Sequence, residues 1–311
     1  MRYLVTGGAG FIGSNLIKRL LVEKHSIICI DNFSSGNRLN ISNFLTHPEF
    51  KLIDHDITQV IDIETDGIWH LACPASPKYY GRNPIETSKI NFIGTYNLLE
   101  IARKNKCPII FASTSEIYGN PEVHPQNEIY NGSVNTNGSR SCYKEGKRIA
   151  ESLCFDYKRI HNINIKIARI FNTYGPNMMP DDGRVISNFV TSAILKKPLF
   201  VNGDGNQTRS FCYVEDLIDA LILLFNSSIN DPINLGNPKE EYSINQIAEK
   251  IRKKVNSNSQ IQNINIQLDE PLRRKPCIKK AKLLLNWEPK YTLDIGLDYT
   301  IKYLRKIINN E

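Results

Sequence analysis

The stretch VTGGAGFIGSNL, Val5 to Leu16, decides the fold. The apolar run Tyr3-Leu4-Val5 enters it, and an amphipathic run from Phe11 to Glu23 leaves it. Between them Gly7, Gly10 and Gly13 have the spacing GxxGxxG. Gly7 suits a tight turn, Gly10 lets backbone N–H groups approach a pyrophosphate, and Gly13 lets helix and strand pack closely. The helix N-terminus then faces the phosphate charge. A second apolar run, Ile27–Asp31, ends in a carboxylate. Asp31 is placed to accept hydrogen bonds from an adenosine ribose and to repel a 2′-phosphate, which favours NAD over NADP. Asp56 and Ile57 close the third strand and are expected to touch the adenine.

Outward from this loop, short apolar runs alternate with longer amphipathic ones. Strands are expected at Tyr3–Thr6, Ile27–Asp31, Lys51–Asp54, Gly67–Leu71, Pro108–Ala112 and Asn164–Arg169. Helical spacing occupies Phe11–Glu23, Ile85–Lys104 and Tyr143–Ile160. This alternation predicts an α/β fold, a Rossmann-type doubly wound parallel sheet with helices on both faces. Beyond Asn172 the character changes to Gly-, Asn- and Pro-rich loops around a helix at Val185–Leu195. Helices follow at Val214–Phe225 and Ile244–Val255, the latter opened by a Ser243/Gln246 capping box. The expected organisation is an NAD-binding domain over 1–171 and a smaller lobe over 172–311 that binds substrate and returns segments to the sheet.

Composition sets the class. Of 311 residues, 41% are hydrophobic and 23% charged, as in ordinary globular proteins. The net charge of +7 is spread along the chain, with no dense basic block interleaved with aromatics, so nucleic acid is not an expected partner. No apolar run approaches the roughly 18 residues of a membrane span. No signal-peptide pattern precedes Tyr3, and the chain reads as cytoplasmic. The seven cysteines are scattered, without a CxxC pair, and read as free thiols. No His/Cys/carboxylate group has zinc spacing, and His70, at a strand end, reads as packed rather than ligating.

Two further stretches carry chemistry. In SRSCYKEGKRIAE (Ser139–Glu151), Tyr143 and Lys147 sit at i and i+4, one helical turn apart. An ammonium beside a phenol favours the phenolate, which makes Tyr143 a general base for a substrate alcohol. In FASTSEIYG (Phe111–Gly119) a buried strand runs into hydroxyls and a carboxylate. Ligands of doubly wound sheets bind beyond the carboxyl ends of the strands. Thr114, Ser115 and Glu116 are therefore expected in the crevice with Tyr143. Thr114 can bond the oxygen of the carbon being oxidised, and Glu116 can move a proton or orient a water at the neighbouring carbon.

These motifs together resemble the extended short-chain dehydrogenase/reductase superfamily of nucleotide-sugar enzymes. HLACPASP (His70–Pro77), STSEIYG (Ser113–Gly119), EVHPQNE (Glu122–Glu128) and RIFNTYGP (Arg169–Pro176) narrow the resemblance. DGRVISNF (Asp182–Phe189), NQTRSF (Asn206–Phe211) and RRKPCIKKAK (Arg273–Lys282) narrow it further, to the UDP-glucuronate decarboxylases of the UDP-xylose-synthase type. It runs from about Arg2 to Tyr303. STSE is the sharpest element, because the sugar 4,6-dehydratases typically read STDE and the 4-epimerases typically lack the acid.

The resemblance implies an NAD-dependent enzyme that oxidises C4 of UDP-glucuronate, loses carbon dioxide from the 4-keto intermediate and reduces the product to UDP-xylose. Tyr143 would take the C4 hydroxyl proton, with Lys147 holding the nicotinamide ribose and depressing the pKa of Tyr143. Glu116 and Arg274 would orient the carboxylate and handle the C5 proton, with water as its immediate source. Phe11, Ile12, Asn32, Leu71 and Ala72 would complete the cofactor site. Asn172, Arg184, Asn188, Gln207 and Arg209 would hold diphosphate and uridine, with Ala75, Tyr80, Lys89 and Arg140 lining the sugar. A homodimer through helices Ile85–Lys104 and Tyr143–Ile160 is implied as well. There are two departures. The family's VYG is Val201-Asn202-Gly203 here, losing an aromatic ring near the base. KYYGRNP (Lys78–Pro84) is closer to the decarboxylase half of the lipid A aminoarabinose enzyme, which releases a 4-keto pentose and NADH. That product remains an alternative, as do the 4,6-dehydratase and 4-epimerase reactions.

Overall fold

A computed structural model describes residues 1–265 and 271–309. The first half comprises β1 (Arg2–Thr6), α1 (Phe11–Val22), β2 (Ser26–Asp31), β3 (Phe50–Asp54), β4 (Gly67–His70), α2 (Pro77–Tyr80), α3 (Pro84–Lys89), α4 (Thr95–Asn105), β5 (Ile109–Thr114), α5 (Ser141–His161) and β6 (Ile165–Ile170). Then follow β7 (Thr173–Tyr174), α6 (Val185–Ile194), β8 (Leu199–Asn202), β9 (Thr208–Ser210), β10 (Cys212–Tyr213), α7 (Val214–Asn226) and β11 (Ile233–Leu235). The last elements are β12 (Glu241–Ser243), α8 (Ile244–Val255), β13 (Ile261–Ile264), β14 (Arg273–Arg274), α9 (Lys279–Leu285) and α10 (Leu293–Ile308).

The seven-stranded sheet has the order β11-β6-β5-β4-β1-β2-β3, and its pairs are all parallel. The order reverses between β1 and β4, and that switch point opens the crevice at the carboxyl ends of the strands. Side-chain alternation sends Leu4, Ile68, Phe111 and Ile167 to one face, against Leu98 and Ala102 of α4 and Ala150 and Cys154 of α5. Val5, Trp69, Ile110 and Ala168 face the other way, against Leu16 and Leu20 of α1 and Leu217 and Leu221 of α7. Trp69 stacks on Phe225 at 4.3 Å, fixing the end of α7 to the sheet. Burial on both faces is why these strands read as continuous apolar runs. The expected fold class is the observed one.

Three features differ from the sequence reading. The fifth strand continues two residues past Ala112, so Ser113 and Thr114 are strand residues. The span expected as a helix from Ile85 to Lys104 is interrupted by a wide π-type turn at Ile90–Gly94. This turn brings Asn91 inward, where its amide donates to Thr87 O (2.9 Å) and its carbonyl accepts from Cys73 (3.3 Å). The region after Asn172 holds short strands as well as loops: β8 pairs with β13, and β9 lies between β12 and β14. Strands this short leave too little periodicity to read. The capping box of α8 is present, Gln246 N donating to Ser243 Oγ and Ser243 N to Gln246 Oε1.

Gly7 has φ +71°, and a Cβ there would meet the Ala72 backbone at 2.8 Å. A Cβ on Gly13 would lie 2.2 Å from Gly7 O. Gly13→Ala therefore has to push the loop off α1. The expected outcome is a loss of about 1–3 kcal/mol in urea unfolding, with a parallel loss of NAD affinity by calorimetry.

Candidate active site

The crevice is a cavity of ≈ 380 Å³ running from the glycine loop to the C-terminal lobe. At one end, α1 begins at Gly10 without a side-chain cap, so its first N–H groups face the cavity. Asp31, at the end of β2, accepts from Ala9 N and Phe33 N at 2.9 Å each. Burial pushes its carboxyl up, and those two bonds oppose the shift. Asp56 accepts from Thr58 and, at 3.0 Å, from the Asn32 amide. Burial opposes its ionisation, but the Thr58 and Asn32 bonds hold it below the usual carboxylate range. A loop with no room for a Cβ at Gly7 or Gly13, an uncapped helix end and a carboxylate on the neighbouring strand fit a dinucleotide.

At the centre stands Tyr143, buried and stacked on Tyr80 with ring centroids 5.0 Å apart and planes 7° from parallel. Its side chain hydrogen-bonds Thr114. Thr114 also caps the turn Ser115–Tyr118, accepting from Glu116 N at 3.2 Å. That turn aims Glu116 into the cavity and leaves Ser115 buried at its wall. The expected lowering of the Tyr143 pKa is not a property of the polypeptide itself. Burial pushes the phenol well above its ordinary value, and Cys73 and Glu116 add to the shift. Lys147 donates to Ala112 O at 2.8 Å and lies 4.6 Å above the Phe111 ring, but 6.0 Å from that of Tyr143. Burial also lowers the Lys147 ammonium. In a dry slot both ions are disfavoured.

Toward the C-terminal lobe, Arg274 on β14 meets Glu116, Nη1 to Oε1 at 2.9 Å, with side chains 8% and 13% exposed. Parallel pairing sets Arg274 directly opposite Arg209 on β9. Burial opposes ionisation of Glu116, but Arg274, then Arg140, Lys144 and Arg209, overcome it and hold its carboxyl below the ordinary value. Glu116 Oε2, Arg274 Nη2 and Tyr80 Oη are buried without a hydrogen-bond partner. All three residues line the cavity beside Tyr143. Unsatisfied buried groups cost about 1–3 kcal/mol each, so three around one point describe a receptor for a polar ligand.

Every residue expected at the site lines this cavity except Lys89. Lys89 is a correction: its side chain is 51% exposed and pairs with Glu86 at 2.8 Å on the outer face of α3. The i,i+3 spacing puts those two charges together in water, while Thr87 takes the buried side. Arg184 lines the cavity, but Asp182 grips its guanidinium and it lies over the Phe11 ring, 5.4 Å away, near the glycine loop. Gln207 donates to Asn202 O at 2.8 Å, and Asn188 accepts from Gly183 N at 3.1 Å. His70 is packed, bonded to Thr6 Oγ1 at 3.0 Å and Thr95 Oγ1 at 3.1 Å. Burial, reinforced by Lys147, keeps it well below its ordinary pKa. Sequence reasoning missed Cys73, Ser76, Tyr79 and Phe200 as lining residues. Phe200 carried a signal, since it lies two residues before Asn202 in a strand.

Residues 3–236 match the model of the NAD dependent epimerase/dehydratase family. The chain belongs to that family. NAD is the cofactor of this epimerase/dehydratase family member, in agreement with its glycine loop. UDP-glucuronic acid decarboxylase 1 of Xenopus tropicalis is 48% identical over 310 residues, covering 100% of this chain and 73% of that protein. UDP-glucuronic acid decarboxylase 3 of Arabidopsis thaliana is 50% identical over 298 residues, covering 96% and 87%. Among solved structures, the UDP-glucuronic acid 4-epimerase of Bacillus cereus in complex with UDP-glucuronic acid and NAD has a TM-score of 0.90 at 29% identity, covering 99% of this chain and 100% of that one.

The Glu116–Arg274 pair gives a prediction with a definite sign. Arg274→Met strands a buried carboxylate and is expected to cost about 3–5 kcal/mol. Glu116→Gln also destabilises at pH 7. Because the folded pKa of Glu116 lies below 4.5, its contribution is complete above that value and disappears as pH falls through the folded one. Thermal melts of wild type and Glu116→Gln should therefore converge on acidification below pH 4.5. A gap that stays constant there is the contrary result.

Proposed function

We propose that this chain decarboxylates UDP-glucuronate to UDP-xylose through a 4-keto intermediate, with NAD regenerated in each cycle. The observation that carries the reading is the cluster of unpartnered buried atoms, Arg274 Nη2, Tyr80 Oη and Glu116 Oε2, next to the Tyr143 hydroxyl. An acid group and an adjacent carbinol on one substrate would satisfy them together. The names of the relatives, UDP-glucuronic acid decarboxylases at 48–50% identity, support the same substrate and reaction.

Bound NAD supplies the hydride acceptor for C4 and the hydride donor for the last step. Thr114 orients the C4 hydroxyl, and Tyr143 takes its proton as C4 becomes a ketone. A cation close to Tyr143 is needed to offset the burial that raises its pKa. Lys147 can reach the nicotinamide ribose with the N–H bonds not used on Ala112. Arg274 and Tyr80 hold the C5 carboxylate, now β to the ketone. The C5–carboxylate bond breaks, carbon dioxide leaves, and the electron pair passes into the C4–C5 enolate. Tyr143 and Thr114 stabilise its oxygen. Glu116 holds the water that protonates C5, and as C4 is reduced the Tyr143 hydroxyl returns its proton to the C4 oxygen, which completes UDP-xylose.

The labour divides near Asn172. Residues 1–171 hold NAD, and residues 172–311 bring Asn172, Asn188, Gln207, Arg209 and Arg274 to the nucleotide sugar. Exposed Ile85, Phe92, Ile93, Tyr96 and Ile149, on α3, the π-type turn, α4 and α5, support a homodimer through these helices. No helix among the described residues is long and apolar enough to cross a membrane. Seven unpaired cysteines support a reducing cytoplasm.

Incubation with UDP-glucuronate and NAD should release carbon dioxide and yield UDP-xylose, read by mass, with no net NADH. NADH accumulating with a keto-pentose would instead assign the alternative product. Absence of carbon dioxide release sinks the reading. Tyr143→Phe should lower kcat by about 10²–10⁴-fold. Sedimentation equilibrium should give a dimer, and a sole monomer would refute the helix-face pairing.

A further inference from the structure

We propose that the Phe200 ring is the platform on which the pyrimidine base of the substrate stacks. This deepens the uridine-nucleotide reading above and rests on it. In β8 the side chains alternate: Leu199 and Val201 are fully buried, while Phe200 and Asn202 take the opposite face and line the cavity. Phe200 is 54% exposed. The other phenylalanines of the cavity wall, Phe11, Phe171, Phe189 and Phe211, are buried in the core, so their ring faces are already spent. An apolar ring that keeps an open face on a polar, anion-attracting cavity forgoes the hydrophobic gain its neighbours obtain. A planar ligand group against that face recovers it.

The position along the cavity selects the base rather than another part of the ligand. Arg274, at the carboxylate end beside Glu116, lies opposite Arg209. Gln207 precedes Arg209 by two residues and donates to Asn202 O at 2.8 Å. Phe200 is the next residue on the same face of β8. Same-face neighbours on a strand are about 6.6 Å apart. In the reading above Arg274 meets the sugar acid and Arg209 and Gln207 hold diphosphate and uridine, so Phe200, one same-face step from the Asn202 that Gln207 bonds, falls to the uridine part of the ligand. Asn202, two positions downstream on that face, offers no ring, so Phe200 is the residue of β8 that can present one to the cavity.

Base–aromatic stacking is worth enough that removing the ring should weaken binding roughly tenfold. The expected result for Phe200→Ala is a Kd for UDP, by calorimetry, at least about tenfold higher, with the loss for UDP-glucuronate carried by KM rather than kcat. The Kd for NAD stays at the wild-type value, which also reports folding. Phe200→Leu keeps apolar bulk without a π face and should weaken UDP in the same direction. It decides the matter if Phe200→Ala does not fold. Phe200→Trp should bind UDP at least as well as wild type, and Asn202→Tyr added to Phe200→Ala should recover part of the lost affinity. UDP affinity within twofold of wild type in both the Ala and Leu variants overturns the stacking role. If wild type releases carbon dioxide from UDP-glucuronate in that case, only this inference fails. A wild-type chain that binds no UDP overturns both.

Discussion

The site is organised by one buried ion pair, Glu116 with Arg274 at 2.9 Å. Removing two charges from water costs several kcal/mol per ion, and one contact rarely repays it. Here the surroundings tilt the balance by adding more positive charge, with Arg140, Lys144 and Arg209 all acting on Glu116. Arg209 and Arg274 stand directly opposite on paired strands, an arrangement of like charges that needs an anion between or beside them. The pair also fastens the loop after β5 to a strand near the far end of the chain. The crevice is thus closed by the same contact that makes it attractive to an acidic sugar.

Below the site a second buried network holds the end of β5. Arg169 on β6 grips Glu151 on α5 through Nε at 3.1 Å and Nη2 at 2.8 Å. Ser113 donates to the same carboxylate. Arg169 also reaches the Tyr118 hydroxyl at 3.1 Å, and that hydroxyl donates to Asn234 at 2.7 Å. The residues on either side of Thr114 are thereby locked to α5, to β6 and to the edge strand β11. Donors held this way need little reorganisation when charge develops on a substrate oxygen. The π-type turn adds to this, since Asn91 accepts from Cys73 and packs closely against Gly146 of α5.

The two halves of the crevice are built differently. The cofactor end uses backbone: a helix terminus, a loop too tight for a Cβ at Gly7 or Gly13 and a carboxylate already bonded to main-chain N–H groups. The substrate end uses side chains brought in by separate segments. Tyr143 belongs to both, and its environment alone opposes ionisation. A positive charge bound beside it would ease that opposition.

Sequence alone determined whatever short-range chemistry encodes. Gly7, Gly10 and Gly13 fix the turn because a Cβ would strike backbone, and alternation with helical spacing gives the parallel sheet. The i,i+4 rule places Tyr143 and Lys147 on one helix face. Resemblance carried Arg274 and Arg209 to the site without saying how they sit. Tertiary structure decided the rest. The opposition of Arg209 and Arg274, the partnership with Glu116 and the stacking of Tyr80 on Tyr143 join residues far apart in sequence, where no periodicity relates them. It turned Lys89 outward, because one helix offers both wet and dry faces and packing chooses between them. It also raised the Tyr143 phenol, since desolvation is a property of the enclosing walls, not of the residue or its neighbours in the chain.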